Sequence, residues 1–248
     1  MSGSAQNRRV LSGALLVCGG RWHDFAFARG ELLRELGDVP SRPDYDCDLA
    51  GVTALVTYTC DVRPDPAQQR ALVDFVRRGG RWLALHGTNA AVDPPAPGAP
   101  RVFSTPDVLG PVADVLGSRF LGHPPIAPYR VEITAPDHPL VAGVGPFEVS
   151  DEQYVCEPRG EIEVLAGTDV VESSPGFAEG GTGRQPVLYL RSFGAGQVCY
   201  FTLGHCRGRY DIADLGVPDT GVVDRGSWEV PQFREILRRA IRWVRDGA

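Results

Sequence analysis

The stretch RWLALHGTNAA, residues 81–91, decides how this chain is read. Residues 82–85 form a short apolar run, the pattern of a strand covered on both faces. His86 stands where that strand breaks into Gly87. Thr88, Asn89, Ala90 and Ala91 then predict a helix opened by an N-capping side chain. A strand-to-helix turn of this kind holds one side chain at the end of a sheet, the geometry of a nucleophile elbow. Here that side chain is an imidazole and not a serine hydroxyl or a cysteine thiol.

Outward from this turn, the first half alternates strand and helix. Residues 14–18 are an apolar strand ending in Gly19-Gly20. Residues 25–36 carry helical spacing through Phe25, Ala28, Leu32, Leu33 and Leu36, with Gly37 as the stop. Residues 54–60 form a second strand. In RPDPAQQRALVDFVRRGG, Asp65 is the expected N-cap, Pro66 the first helical residue and Gly79-Gly80 the end. Strands alternating with helices predict a parallel sheet covered on both faces, with ligands beyond the carboxyl ends of its strands.

The VDPPAPGAPRVFSTPD segment, residues 92–107, is too rich in proline for a helix or a central strand, and is expected to fold as a loop over the site. A short helix is predicted over 108–116 and strands over 129–134, 162–167, 186–191 and 197–203. SFGAG joins the last two as an antiparallel hairpin. The last helix, from about 230 to 245, turns Phe233, Ile236, Leu237, Ala240, Ile241 and Val244 inward. No repeat or second-domain boundary is visible. Residues 1–248 are therefore expected as one domain, with 1–12 as a flexible N-terminus.

Composition excludes several classes. The 248-residue chain has a formal net charge of −6, against a nucleic-acid partner, which would require a basic face. Arg234, Arg238, Arg239, Arg242 and Arg245 fall on the solvated face of the last helix. The six cysteines contain no CxxC pair, so neither a zinc ribbon nor a disulfide framework is indicated. A reduced cytoplasmic protein is expected. The arginines and apolar run of NRRVLSGALLVCGG imitate a signal peptide, but no small-x-small cleavage site follows, and the run is read as the first strand. No apolar stretch approaches the roughly 20 residues of a membrane span.

Three of the five histidines stand just after predicted strands. His23, beside Asp24, follows the first; His86 follows the strand at 81–85; His205 follows the last, in YFTLGHC. His123 lies in GSRFLGHPP, and Asp151-Glu152 lie in FEVSDEQY. Any one of these could be structural, but three at one predicted edge point to a site. His138, in PDHPL, fits a structural turn.

VCGGRWHDF, GGRWLALHG, GSRFLGHPP, DHPLVAGV, VSDEQY and GAGQVCYFTLGH together resemble the ThuA-like (trehalose utilisation) family of the class I glutamine-amidotransferase-like superfamily. The resemblance runs from about residue 14 to 243. It implies a flavodoxin-like α/β fold, a three-layer sandwich around a mostly parallel sheet with an antiparallel hairpin extension. The chain departs from the family pattern in the proline loop and in RGRYDIADLGVPDTGVVDRGSW, residues 207–228. In true amidotransferases of this superfamily the elbow carries a cysteine, activated by a histidine on a late strand. Here His86 holds the first position and His205 corresponds to the second, so glutaminase activity is not expected.

The family is tied to disaccharide catabolism through 3-keto-glycosides, and this implies an enzyme of carbohydrate metabolism. A ketone at C3 acidifies the proton on C2, so one base can start elimination, hydration or isomerisation. In the leading reading His86 and His205 form the acid–base pair, and Asp151 or Glu152 orients an imidazole or acts as base. His23, Asp24, His123, Arg119 and Tyr154 bind sugar hydroxyls. The alternatives are a divalent-metal site, Zn²⁺ or similar, built from imidazoles and a carboxylate, and a non-catalytic sugar-binding or scaffold module. The expected partner is a small carbohydrate, with no membrane contact. A homo-oligomer is compatible with the sequence.

Overall fold

The computed structural model describes residues 13–96 and 98–247, so the expected flexible segment 1–12 lies outside the described residues. In chain order the elements are β1 (Ala14–Gly20), α1 (Phe25–Leu36), β2 (Ser41–Arg42), β3 (Ala54–Cys60), α2 (Pro66–Arg77), β4 (Arg81–Leu85), α3 (Pro111–Leu116), β5 (Ser118–Gly122), β6 (Ala127–Ile133), β7 (Phe147–Asp151), β8 (Val155–Pro158), β9 (Glu163–Val170), β10 (Gly183–Phe193), β11 (Gly196–Phe201) and α4 (Pro231–Asp246). The helix at 25–36 falls where its apolar spacing places it. So does α2, where Asp65 and Gln68 form a capping box ahead of Pro66.

One nine-stranded sheet, ordered β2-β1-β3-β4-β11-β10-β9-β6-β7, forms the middle layer. The run from β2 to β11 is parallel. The expected hairpin β10–β11 is present, but the antiparallel part continues through β9, β6 and β7. Four successive antiparallel pairings turn β7 back to the direction of β11. Asp151 therefore leaves the sheet at the same edge as the carboxyl ends of β1, β3, β4 and β11.

Alternate residues of the inner strands face opposite helical layers. Leu16, Cys18, Val56 and Leu83 join the cluster under α1 and α4, with Leu32, Phe233, Ile236 and Ile241. Leu15, Val17, Leu55 and Trp82 join the cluster under α2 and α3, with Leu72, Val76, Val112 and Leu116. This is the α/β three-layer sandwich, built around a mixed sheet. A separate antiparallel pair, β5 with β8, stands outside it and carries the chain past His123 and Tyr154.

The sequence expectation fails after His86. Residues 86–89 make a single 3-10 turn, and among the described residues no α-helix follows until Pro111. The proline loop begins directly behind the turn and takes the place of the expected helix. Among the described residues, no helix is long and apolar enough to cross a membrane.

Candidate functional site

Among the described residues, three non-glycine residues have left-handed backbone, each within two residues of the carboxyl end of a parallel strand: Trp22 after β1 (φ 69), Asp61 after β3 (φ 54) and His86 after β4 (φ 48). Such conformations cost roughly 1–3 kcal/mol each and persist only where the surroundings enforce them. At His86 the enforcement is visible. The Tyr200 hydroxyl donates to the His86 carbonyl at 2.6 Å and accepts from the Asn89 N–H at 2.9 Å. A Cβ on Gly87 would stand 2.7 Å from the Thr59 carbonyl oxygen, so only glycine lets the turn pack against β3.

The turn points His86 into a buried cluster with His23, Glu152 and His205, whose ligating atoms all lie within 4.8 Å of one another. The rings of His23, His86 and His205 form a triangle, with centroids 5.9 Å apart for His86 and His205 and 4.7 and 5.3 Å from His23 to each. Glu152 is central. Its oxygens lie 3.3 Å from His86 Nε2, 3.7 Å from His23 Nε2 and 3.2 Å from His205 Nδ1.

The hydrogen-bond partners assign the tautomers. His86 Nδ1 is 2.9 Å from the Thr202 carbonyl and His23 Nδ1 is 3.1 Å from the Arg21 carbonyl. A carbonyl oxygen only accepts, so both rings carry their proton on Nδ1 and, when neutral, present the Nε2 lone pair. Those two Nε2 atoms face each other at 2.9 Å. Two lone pairs repel, so this approach requires a cation, either a proton or a metal ion. Two ligands about 2.1 Å from a tetrahedral metal stand about 3.4 Å apart, close to the spacings found here. Both ring nitrogens of His205 are buried without a hydrogen bond of good geometry, although Glu152 and Asp224 oxygens lie at 3.2 and 3.3 Å. Orphaned imidazole nitrogens, a carboxylate and carbonyl-fixed tautomers are the donor set of a divalent-cation site with its outer shell.

The electrostatics favour a positive charge in the cluster, as a proton on His205 or as a metal ion that displaces it. Burial pushes His23 down to about 4, so its ring is neutral at physiological pH. Burial also opposes charge on His205, but Glu152 and Asp224 outweigh it and raise the ring to about 9. Burial raises Glu152, yet His123, His205 and His23 hold its carboxyl well below the usual range. Burial, with Glu152 nearby, holds the Tyr154 hydroxyl well above its ordinary value and keeps it a donor.

A cavity of about 320 Å³ opens onto the cluster. His23, His123, Glu152, Tyr154 and Arg207 line it, whereas His86, His205 and Asp151 lie behind them. The positions expected to be the acid–base pair thus reach a substrate only through the cluster. His123 instead has a free ring nitrogen on the cavity. Its Nδ1 donates to the Pro124 carbonyl at 2.7 Å and its Nε2 lies 3.7 Å from Glu152. Tyr154 places its hydroxyl 3.3 Å from His86 Nε2.

Three other expected site residues serve the scaffold. The Asp151 carboxylate is fully buried and accepts from the backbone N–H groups of Glu152, Gly204, His205 and Ser227, which ties β7 to the His205 loop. Asp24 caps α1 through the Phe27 N–H and pairs with Arg225. Arg119 spends its guanidinium on Glu157, Glu179 and the Thr105 carbonyl. Asp24 and Arg119 are absent from the cavity lining. Arg207, which sequence reasoning overlooked, donates to Glu152 at 3.3 Å. It lies two residues after His205, on the same strand-end loop.

No thiol replaces the imidazole at the elbow. Five of the six cysteines are buried and Cys47 is half-buried. Burial raises Cys18 to about 12 and Cys60 well above the ordinary thiol value.

Fold and site define a flavodoxin-like α/β protein with a buried histidine–carboxylate cluster at the carboxyl edge of its sheet. The sequence profile of the ThuA family, described as trehalose utilisation, matches residues 41–215, and the chain belongs to that family. No curated protein sequence matches it. Among solved structures it is similar to a ThuA-like protein from Bacteroides uniformis, with a TM-score of 0.60 at 17% identity over 98% of this chain and 95% of that one. A ThuA-like protein from Parabacteroides merdae gives a TM-score of 0.60 at 16% identity, over 95% and 90% of the two chains. A cytoplasmic protein from Salmonella typhimurium LT2 gives 0.55 at 14% identity, over 94% and 100%. At these identities the structural likeness is one of fold.

Proposed function

We propose that this protein is a carbohydrate-processing enzyme that loosens the proton beside a sugar ketone, with a divalent cation held by His23, His86, Glu152 and His205. The observation that carries this reading is the 2.9 Å approach of two Nε2 atoms whose rings are both anchored through Nδ1. The family description, trehalose utilisation, supports a carbohydrate as substrate. A divalent ion at that point would supply Lewis-acid polarisation of a carbonyl oxygen.

The chain's own groups do the rest. Arg207 and Tyr154 line the cavity beside Glu152, where they can hold hydroxyl and carbonyl oxygens of one sugar ring. With a 3-oxo-glycoside bound, His123 Nε2 takes the proton from C2, and the C–H electron pair moves into the ketone as an enolate. Glu152, 3.7 Å from that nitrogen, stabilises the imidazolium. Tyr154 keeps its proton and donates to the developing oxyanion. Return of the proton to the other face isomerises the sugar, and departure of a group β to the ketone gives elimination.

The test is proton exchange. Protein purified without chelator and incubated with a 3-oxo-glucoside in D₂O should deuterate C2, followed by NMR, and EDTA should stop it. Unchanged C2 protons with metal bound would reject the reading.

A further inference from the structure

The cavity has two chemically different ends. Of its polar side chains, His23, His123 and Arg207 gather around the Glu152 carboxylate, and Tyr154 places its hydroxyl beside His86 Nε2. Among the described residues, the rest of the lining presents no side-chain oxygen, and its one side-chain nitrogen is that of Trp22. Trp22 Nε1 already donates to Asp214 at 3.2 Å, so it has nothing to offer a ligand. The apolar wall is a belt of rings in mutual contact, Trp22 with Phe103 (centroids 6.3 Å), Phe103 with Phe177 (5.8 Å) and Phe177 with Phe120 (5.5 Å). It adjoins the polar group where Phe120 meets Tyr154 (4.5 Å) and Phe177 meets His123 (5.0 Å).

The apolar lining continues outward. A second hollow of about 430 Å³ shares Phe103, Ile212 and Leu215 with the first and adds Pro94, Pro95 and Val217, with the charged side chains of Arg101 and Asp214, each already partnered, at its edge. It lies between the proline loop and the 207–228 insertion. These loops are bound together, since Arg101 donates to the Leu215 carbonyl at 2.6 Å. Arg21 pairs with Asp214 at 2.6 Å, which ties the insertion to the end of β1.

We infer that this protein takes a glycoside with a flat apolar aglycone, the sugar ring at the Glu152 end and the aglycone along the Trp22–Phe103–Phe177–Phe120 belt. The inference rests on the sugar reading of the site given above. A second sugar ring against that wall would lose water from its hydroxyls without finding partners, which opposes binding. An aromatic ring there buries apolar area and meets other rings edge to face. The cavity volume is at the low end of small-molecule sites, enough for one sugar ring and one aromatic ring.

The experiment is calorimetric titration of the full chain, as purified without chelator, with three probes: methyl 3-oxo-glucoside, phenyl 3-oxo-glucoside and 3-oxo-trehalose. The phenyl glycoside should bind at least about tenfold more tightly than either of the others. Phe177→Ala, and independently Leu215→Ser on the insertion, should reduce the phenyl-to-methyl affinity ratio severalfold. Equal affinities for phenyl and methyl glycosides, tighter binding of 3-oxo-trehalose, or no binding of any probe would overturn the inference. Each titration is followed by NMR for intact probe, so that affinity is read apart from turnover. A phenyl preference without C2 exchange leaves the aglycone inference standing and removes the proposed chemistry. Exchange without a phenyl preference does the reverse.

Discussion

His23 Nε2 and His86 Nε2 lie 2.9 Å apart, and each is aimed there because a backbone carbonyl holds the proton on the far side of its ring. The pair spans the ends of β1 and β4, two strands separated in the sheet by β3 alone. That relation gives His86 a structural role, and the proposed function adds a chemical one.

His86→Ala should show both. Its side chain is 1% exposed, so removal leaves the Thr202 carbonyl without its donor and should lower the melting stability of chelated protein by about 1–3 kcal/mol. Turnover on the true substrate should fall by about 10²-fold or more. Melting curves in EDTA and a rate assay on the same variant measure the two effects separately. Normal turnover in a destabilised variant would make this imidazole purely structural.

Asp151→Asn tests the scaffold role of the buried carboxylate. An amide NH₂ replaces one oxygen that now accepts backbone N–H groups, so a donor would face donors. Stability should drop by about 2–3 kcal/mol, and metal affinity should fall because the His205 loop is no longer anchored. A variant that melts like the wild type would contradict this.

Reactivity of the thiols tests the absence of a cysteine nucleophile. At pH 8, iodoacetamide should leave Cys18, Cys60, Cys156, Cys199 and Cys206 unmodified in the folded protein, since all five are buried and raised in pKa. Only Cys47 is open to reagent, and slowly. Rapid labelling of Cys60, or ammonia release from glutamine abolished by Cys60→Ser, would contradict the assignment.

Glu31 connects α1 to α4 by pairing with Arg34 and with Arg234, the latter at 2.7 Å. Burial raises its carboxyl, but the two guanidinium groups outweigh burial and lower it below the usual 4.5. A depressed native value means stability that is present above about pH 4.5 and lost as pH falls through the native value. Solvent screens part of it, so Glu31→Gln should cost about 1 kcal/mol at pH 7. The gap between variant and wild type should close on acidification below pH 4.5, measured by urea unfolding. A gap independent of pH would assign the loss to packing instead.

β1, β3, β4 and β11 were legible as buried, mostly apolar runs, and α2 because Asp65, Pro66 and Gly79 punctuate it. The two-residue edge strand β2, Ser41–Arg42, has no apolar signal. β7 was not, since FEVSD alternates buried and exposed over only five residues and carries two acids. β5 and β8 are as short and pair only with each other. Three histidines at one edge could be read from their positions after strands. Which groups face the cavity could not, because that depends on hydrogen-bond partners distant in sequence, as with Arg119 on Glu157 and Glu179. Asp24 is different. Its place directly before the helix at Phe25 marks an N-cap, a local signal that favours structure over sugar binding.

The most direct measurement is the metal content of protein purified without chelator, joined to melting with and without EDTA. One divalent ion per chain is predicted, reduced to a small fraction in a His23→Ala, Glu152→Gln or His86→Ala variant. Removal of the ion should lower wild-type stability by about 2–4 kcal/mol when free metal stands at 100 to 1,000 times its dissociation constant. A wild-type chain that binds no Zn²⁺ or Mn²⁺ at millimolar concentration, and melts identically in EDTA, would leave only a proton between His23 and His86 and would contradict the account.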